Sequence, residues 1–413
     1  MSDYNGAKKT LTLFCQVFYP DEQSTAQLFA DWTAGLAGRG WDIRVVCGFP
    51  PNSKCEMLPA REKWKGVSIH RVGIRVDFKR SLALRAIHYA AYLLGSAMEL
   101  LRDPERLALV VTNPPFLPIW GSVFRKLRKG RYLIEIQDLY PEGLVELGLL
   151  RHGMITRVWR GLNHWALSGA ESIIVLGRDM KELLLNAYGL DPDKIRVISH
   201  WSPVEPACEI EPESTMLLRE LGMEGNFVIQ YSGNMGLWHD MDQIVSAADL
   251  VQHDRNIQFL LIGDGRRRGA AKGLAEEKHL NNISWLPPQP KTRLEDSLAA
   301  CHASIISQRS GLEGLAVPCK LYGIMASGRA IIAAVPESSE TAHVVLEEEC
   351  GYLVRPGDAK ALAQAIRDLA DNPEKTKEMG LRGRRAYLGK YTLVHALERF
   401  EETRGCQSPS DRR

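Results

Sequence analysis

Short, continuous runs of valine, isoleucine and leucine recur along the chain and alternate with stretches of helical periodicity. Runs such as residues 108–112 are apolar on both faces, which is typical of strands buried in a parallel sheet. Between residues 24 and 39, Leu28, Trp32 and Leu36 recur every four residues, as on a helix that connects parallel strands. The pattern predicts an α/β chain built from doubly wound parallel sheets.

The alternation is interrupted at residues 201–216, where three prolines and four glutamates stand without periodicity. The length of 413 residues also fits two domains. We therefore predict a first Rossmann-like domain over 1–200, an interdomain linker over 201–216, a second Rossmann-like domain over 217–405 and a frayed tail over 406–413. The last helix could pack back on the first domain. The two sheets would face a cleft with their carboxyl ends, where α/β proteins bind ligands.

Charge is divided unevenly between the two halves. Residues 1–200 contain 27 Lys and Arg against 20 Asp and Glu, and residues 201–413 contain 25 against 30. This division suggests two domains with different partners. The net charge of +2 argues against a nucleic-acid binder with a wholly basic surface, and we expect no nucleic-acid partner.

The cysteine pattern and the apolar content point to the cytoplasm. No Cys-x-x-Cys pair or zinc-site spacing is present, so we expect buried free thiols and no metal site. The polar N-terminus has no signal-peptide core, and no stretch reaches the ~18 apolar residues of a membrane-spanning helix. The eight cysteines are at positions 15, 47, 55, 208, 301, 319, 350 and 406.

Three glycine-containing turns follow strands in the second domain, at residues 231–236, 261–268 and 310–328. Glycine lets the backbone turn tightly and lets amides approach an anion. An ordinary strand-to-helix turn is the alternative interpretation of the first. In the second turn, the three arginines could form a solvated basic cluster, or one of them, Arg266, could contact a phosphate; the sequence favours neither interpretation.

The third turn has the residues of a diphosphate site. Pro318 suits the first turn of a helix, and a helix starting there would direct the Lys320 ammonium at the cleft. Glu313 lies in the loop before it, where a carboxylate could accept hydrogen bonds from sugar hydroxyls.

Two pairs of polar residues stand out in the first domain. Asp138 and Glu142 follow a buried strand, and a carboxylate there could position a ligand or take the proton of a ligand hydroxyl. For Asp138, capping of the next helix is an equally good interpretation. Thr25 and Gln27 lie at the start of the first helix, where a capping role competes with contact to a ligand.

In their order along the chain, these segments resemble the retaining glycosyltransferases of family 4, which have the GT-B fold. The branch that they resemble most contains fucosamine-type transferases of bacterial surface polysaccharide synthesis. The segments that carry the resemblance are 18–20 with 24–27, 113–115, 136–142 and 197–201 in the first domain, and 231–236, 263–265 and 317–320 in the second.

The resemblance implies transfer of a sugar, with retention of configuration, from a nucleoside-diphosphate sugar to a lipid-linked or polysaccharide acceptor, with no metal and no other cofactor. The second domain would hold the donor and the first domain the acceptor. The donor-binding residues would be Gly233, Asn234, Gly236, His239, Arg266, Leu286 and Lys320. The catalytic residues would be Glu313 and Asp138, and Thr25, Gln27 and Glu142 would face the acceptor or the cleft.

The sequence departs from the family pattern at several positions. The second acid that the family often carries falls at Gly323 here. The widespread pair of basic residues for the donor phosphates maps to Asn234 and His239, and Cys319 stands where the branch tends to have serine. Phosphate binding would therefore depend more on backbone amides and Lys320.

A membrane contact is predicted for the first domain. An aromatic and apolar segment, which includes Phe116, Leu117, Ile119, Trp120 and Val123, runs into five basic residues at 125–131. That composition is typical of an interfacial helix on an anionic membrane, here the inner face of the cell membrane. The alternative is a core helix whose terminal basic residues complement its dipole.

Two other functions are compatible with these segments. A nucleotide-sugar epimerase of the same fold would act on free nucleotide sugar without a membrane. A catalytically inactive paralogue would bind nucleotide sugar without turnover.

Overall fold

The computed structural model describes residues 9–21, 23–50, 58–76, 81–102, 107–204, 209–254 and 256–405. They form two compact units, which we describe separately. Unit 1 contains the described residues up to 176, residues 181–199 and those from 393 onward. Unit 2 contains residues 177–180 and 200–392. Cys55, Cys208 and the predicted frayed tail over 406–413 lie outside the described residues.

Unit 1 is built on an eight-stranded sheet in which β3 alone runs antiparallel to its neighbour. The strand order is β3-β4-β2-β1-β5-β6-β7-β8, so the order reverses between β1 and β5. The strands are β1 (Thr10–Phe14), β2 (Asp42–Cys47), β3 (Arg61–Trp64), β4 (Val67–Arg71), β5 (Leu107–Val111), β6 (Tyr132–Ile136), β7 (Ser172–Val175) and β8 (Ile195–Val197).

Helices cover this sheet, and α3 contacts both α2 and α5. The first residues of α6 belong to unit 2. Within the described ranges, no helix is both long and apolar enough to cross a membrane. The helices are α1 (Ser24–Gly38), α2 (Leu82–Arg102), α3 (Leu117–Arg128), α4 (Glu142–Glu146), α5 (Met154–Gly169), α6 (Arg178–Tyr188) and, from the end of the chain, α15 (Leu393–Gly405).

Unit 2 is built on a six-stranded, fully parallel sheet of order β11-β10-β9-β12-β13-β14. Its strands are β9 (Phe227–Ser232), β10 (Ile257–Ile262), β11 (Ile283–Leu286), β12 (Ala303–Ser307), β13 (Ala330–Ala334) and β14 (Gly351–Val354). Its helices are α7 (Met216–Leu221), α8 (Met241–Leu250), α9 (Arg268–Glu277), α10 (Leu294–Ala299), α11 (Lys320–Ala326), α12 (Glu340–Glu347), α13 (Ala359–Ala370) and α14 (Pro373–Lys390).

The predicted α/β class with two doubly wound units is confirmed. β12 and β13 are buried at every residue, as continuous apolar runs predict for a sheet covered on both faces. The antiparallel strand β3 was not predicted, because its sequence Arg-Glu-Lys-Trp has no apolar run. The helix expected to start near Pro318 starts at Lys320.

Both capping interpretations are wrong. Helix α1 has Gln23 as its N-cap, and α4 has Pro141, in each case without a side-chain capping hydrogen bond. Thr25 lies inside α1 and Asp138 lies before α4, so neither side chain is committed to a helix end.

The terminal helix α15 packs against α1 in unit 1. The fully buried Phe400 ring lies 4.7 Å from the Trp32 ring and 5.8 Å from the Trp41 ring, measured between centroids. Glu401 accepts hydrogen bonds from the Trp41 indole at 2.9 Å and from Arg39 at 2.9 Å. Hydrophobic burial of Phe400 therefore holds α15 on this unit, and the hydrogen bonds to Glu401 add to that attachment.

Replacing Phe400 by alanine should destabilise unit 1 strongly. Removal of a fully buried phenylalanine costs about 3–5 kcal/mol of unfolding free energy, because the cavity collapses only in part. Differential scanning calorimetry should show an unfolding transition at a clearly lower temperature. Val394→Ala, at a half-exposed position of the same helix, is the matched control and should leave the transition nearly unchanged. An unchanged transition in Phe400→Ala would contradict this packing.

Candidate functional site

Two glycine turns meet at the carboxyl ends of the adjacent parallel strands β9 and β10. The amide of Gly233 donates to the Ile262 carbonyl at 2.9 Å, and the amide of Met235 donates to the Asp264 carbonyl at 2.8 Å. Gly263 has a φ of +142°, and a Cβ on it would lie 1.9 Å from the Gly233 oxygen. Only glycine at position 263 allows this approach.

The Lys320 ammonium lies over the first of these turns and has no hydrogen-bond partner among the residues with described positions. Its Nζ is buried and is 3.7 Å from the centroid of the Tyr231 ring. It is also 3.3 Å from the place where a Cβ of Gly233 would be. Burial lowers the pKa of Lys320 to about 7. A bound anion would supply the missing partner, so the arrangement is suited to holding a phosphate.

His239 lies beside this ammonium in a neutral state. Its Nδ1 is 2.6 Å from the Ser307 carbonyl oxygen, which can only accept, so Nδ1 carries the proton. Burial, together with the Lys320 charge, lowers the pKa of His239 to about 3. The remaining ring nitrogen is therefore a hydrogen-bond acceptor. His239 cannot replace the basic residue that the family pattern has for the donor phosphates, but it can accept from a hydroxyl.

Glu313 lies on a loop that is tied down from both sides. The buried Gln308 amide donates to the Leu312 carbonyl at 2.8 Å, and the amide of Gly314 donates to Asp179 Oδ2 at 3.1 Å. Glu313 Oε2 is buried and has no hydrogen-bond partner in the described part of the chain. The loop thus holds a carboxylate oxygen that is free to accept a hydrogen bond from a ligand.

Gln308 and Asp179 were missed by the sequence reasoning. Gln308 is a polar residue directly after the buried strand β12, a signal that could have identified it. Asp179 belongs to the short segment that groups with unit 2, and no local pattern marks its contact with a loop more than a hundred residues away.

The other predicted donor residues differ in their positions. The carbonyl of Asn234 accepts from the Tyr231 hydroxyl at 2.6 Å, and its side chain packs on Gly236. The carbonyl of Leu286 accepts from the Gly263 amide at 3.0 Å, which places β11 beside the second turn. Arg266 is exposed to solvent.

In unit 1, Asp138 lines a pocket at the end of β6. Burial raises the pKa of its carboxyl group to about 6, so Asp138 is mostly ionised at neutral pH. The carboxylate can therefore take a proton from a group that enters the pocket. The pocket is lined by Thr112, Pro115, Pro118, Ile136, Asp138, Leu139, Tyr140, Asn163, Ala166 and Leu167.

The other candidates of unit 1 lie outside this lining. Glu142 is buried, and its Oε1 accepts from Arg160 at 3.0 Å and from the Tyr188 hydroxyl at 2.8 Å. These bonds tie α4 to α5 and α6. Thr25 and Gln27 lie half-buried in the first turn of α1. Their roles toward an acceptor stay predictions.

The cysteines are free thiols where they are described. Cys15, Cys47, Cys301 and Cys350 are buried, and burial raises the pKa of each thiol. Cys319 is half-buried next to Lys320. Among the residues with described positions, no three His, Cys, Asp or Glu side chains are grouped so that they could hold a metal ion.

Comparison with known protein families assigns both halves of the chain. Residues 25–201 match the glycosyl transferase 4-like domain, and residues 218–386 match glycosyl transferases group 1. The chain carries both domains of a GT-B glycosyltransferase. Neither of these two matches distinguishes the fucosamine-type branch, so the resemblance to that branch stays a prediction.

Curated relatives and solved structures agree with that assignment. The chain is 28% identical over 261 residues to a probable glycosyltransferase, WbjE, of Pseudomonas aeruginosa, covering 63% of this chain and 65% of that protein. It is 22% identical to a putative colanic acid biosynthesis glycosyl transferase, WcaI, of Escherichia coli, covering 85% and 89%. The structure of Anabaena Alr3699/HepE in complex with UDP-glucose has the same fold, with a TM-score of 0.71, 16% identity and coverage of 96% and 100%.

Lys320→Met should stabilise the unliganded protein. It removes a buried ammonium that has no hydrogen-bond partner in the described ranges, and it keeps a side chain of similar length. Because the folded-state pKa lies below the usual value, the wild type gains stability as pH rises from about 7 toward 10.5. The gap in melting temperature between variant and wild type should therefore be widest at pH 7 and below and narrow toward pH 10. Lys272→Met, at an exposed position on α9, is the control. A lower melting temperature for Lys320→Met at all pH values would contradict the unpaired ammonium.

Proposed function

We propose that the chain is a retaining, metal-independent glycosyltransferase of bacterial surface polysaccharide synthesis. It takes a hexosyl or aminosugar residue from a nucleoside-diphosphate sugar and transfers it to a lipid-linked or polysaccharide acceptor. The proposal rests on the matched domains and on the names of the two curated relatives, a probable glycosyltransferase and a putative colanic acid biosynthesis glycosyl transferase.

One observation carries the donor part of the proposal, namely the buried, unpartnered Lys320 ammonium beside Gly233. A diphosphate binds there by restoring full charge to Lys320 and by accepting from backbone amides of the glycine turn. The related fold of Alr3699/HepE holds UDP-glucose, which supports a nucleotide-sugar ligand.

The remaining residues take roles that follow from their surroundings. Glu313 accepts from the hydroxyls of the donor sugar or ribose, because its free oxygen has no internal partner. His239 accepts from a hydroxyl rather than contacting phosphate. Asp138 takes the proton of the acceptor hydroxyl, since its carboxylate is ionised at neutral pH and lines a pocket. The enzyme works in the cytoplasm at the inner face of the membrane, where a lipid-linked acceptor is presented.

A thermal-shift panel with UDP, GDP, ADP and dTDP tests the donor site. A ligand at ~100 times its dissociation constant adds ~2.7 kcal/mol of stability, which gives a clear rise in melting temperature. We expect a rise with one nucleotide and its loss in Lys320→Met. Absence of any rise would contradict the donor site. Nucleotide-sugar turnover with and without a membrane extract then separates the functions: epimerisation without extract indicates the epimerase, and binding without turnover indicates the inactive paralogue.

The affinity for the nucleotide sugar should fall as pH rises above about 7. The free protein loses the Lys320 proton in that range, and only the protonated form offers a full charge to the diphosphate. Below pH 7 the affinity should level off. Isothermal titration calorimetry from pH 6 to pH 9 measures this dependence, and Lys320→Met should bind weakly with no such slope. A flat profile for the wild type would exclude Lys320 as the titrating contact.

Glu313→Gln should reduce turnover much more than donor affinity. The amide keeps the size of the side chain but loses the negative charge that Glu313 presents to the sugar as the transition state gains positive charge. We expect a loss of kcat of roughly 100-fold or more with a change in the dissociation constant of a few-fold at most. Glu337→Gln, at an exposed position of the same unit, is the control. Unchanged kcat in Glu313→Gln would remove Glu313 from the catalytic residues.

A further inference from the structure

The apolar residues predicted to contact a membrane do not form an exposed surface on α3. Leu117 is buried, Ile119, Trp120 and Val123 are half-buried, and Phe116, at the N-cap of the helix, is 38% exposed. This half of the helix belongs to the core, as the alternative interpretation held. The basic residues that follow are exposed, however, and they lie next to a different helix, α5.

Helix α5 exposes the apolar side chains that α3 does not. Met154 is 74% exposed, Ile155 69%, Val158 55% and Trp165 42%. Such large apolar side chains in contact with water on one helix of a protein are unusual and mark an interaction surface. Leu127 near the end of α3, at 66%, and Leu149 just before α5, at 56%, are exposed as well.

The acidic and basic residues of these two helices are all of one sign. Neither α3 nor α5 contains an aspartate or a glutamate, while together they carry Arg125, Lys126, Arg128, Arg157 and Arg160. All five are exposed. Arg160 is the one whose side chain pairs with a carboxylate, that of Glu142, within the described residues. The two helices therefore contribute positive charge and no acidic side chain of their own.

A groove between the two helices combines both properties. It has a volume of about 570 Å³ and is lined by Ser122, Arg125, Lys126, Trp165, Ser168 and Gly169. An indole beside a lysine and two hydroxyls matches the headgroup region of a bilayer, where phosphates and the first methylene groups meet.

We infer that α5 and the end of α3 form a docking surface for an anionic phospholipid bilayer. The side chains of Ile155 and Val158 insert into the boundary between headgroups and acyl chains, while Lys126 and Arg128 bind lipid phosphates. The inference deepens the membrane part of the proposed function and rests on it. A bilayer fits better than a second copy of the chain, because two copies of this basic surface would repel each other.

Vesicle co-sedimentation of the full chain tests the inference. The probes are vesicles of phosphatidylcholine alone and of phosphatidylcholine with roughly one-third phosphatidylglycerol. We expect binding to the anionic vesicles that weakens with added salt. Lys126→Gln with Arg128→Gln should weaken it roughly 30-fold, because each basic residue at an anionic surface contributes about fivefold. Ile155→Ser with Val158→Ser should weaken it at least tenfold. Leu346→Ser with Leu388→Ser, at half-exposed positions of unit 2, is the matched control and should bind as the wild type does.

Three results would overturn the inference. They are no binding to anionic vesicles, equal loss of binding in the control, or a dimer in size-exclusion chromatography that Ile155→Ser with Val158→Ser dissociates. Failure of the proposed donor function is distinguishable, because nucleotide-induced thermal stabilisation in solution does not involve this surface. The surface variants should retain that stabilisation, which also shows that they are folded.

Discussion

The close approach of two backbone turns is the constraint on which the candidate donor site depends. The registered pairing of β9 with β10 puts the first turn against the second, and a Cβ at Gly263 would collide with the Gly233 carbonyl. Because no side chain fills the space at Gly233, the Lys320 ammonium can occupy it. The same burial withdraws that ammonium from water and leaves it without a partner. The fold thus places a buried ammonium where the phosphates of a diphosphate would accept its hydrogen bonds and neutralise its charge.

The neighbours of this charge explain how the site manages without the second basic residue of the family pattern. His239 is held neutral by burial and by the Lys320 charge, and its proton is fixed toward the Ser307 carbonyl. A second cation there would add repulsion in a site of low dielectric constant. The protein instead offers one buried charge, backbone amides and a hydrogen-bond acceptor, a set suited to a ligand with both phosphates and hydroxyls.

In unit 1, exposed basic side chains and exposed large apolar side chains lie mainly on two different helices, whereas the sequence suggested that one helix carries both. In α3 the apolar half packs inward and the basic half faces solvent, whereas α5 exposes apolar side chains beside it. The periodicity of α5 did not predict that its apolar side chains are exposed, because a stripe of Met154, Ile155 and Val158 is also typical of a helix that packs on a core. Which stripe is buried is decided by the packing of α3 against the sheet.

The sequence by itself determined the class of the fold and the identity of the most informative residues. Short continuous apolar runs bounded by turns are typical of strands covered on both faces, so they indicated parallel sheets in both units. The glycine turns that follow such strands were enough to single out Gly233 and Lys320. The pattern could not show β3, whose short polar sequence forms a strand only because β4 offers an edge to pair with.

Only the tertiary structure decided the ionisation and the supports of the site. The pKa of Lys320 depends on how completely other residues exclude water from its ammonium. His239 is neutral because of burial and the Lys320 charge, and a carbonyl 68 residues away determines which of its ring nitrogens carries the proton. Likewise, Gln308 and Asp179 became supports of the Glu313 loop only when distant segments came together. Local sequence patterns carry propensity and periodicity, but desolvation and hydrogen bonding between distant segments exist only once the chain is packed.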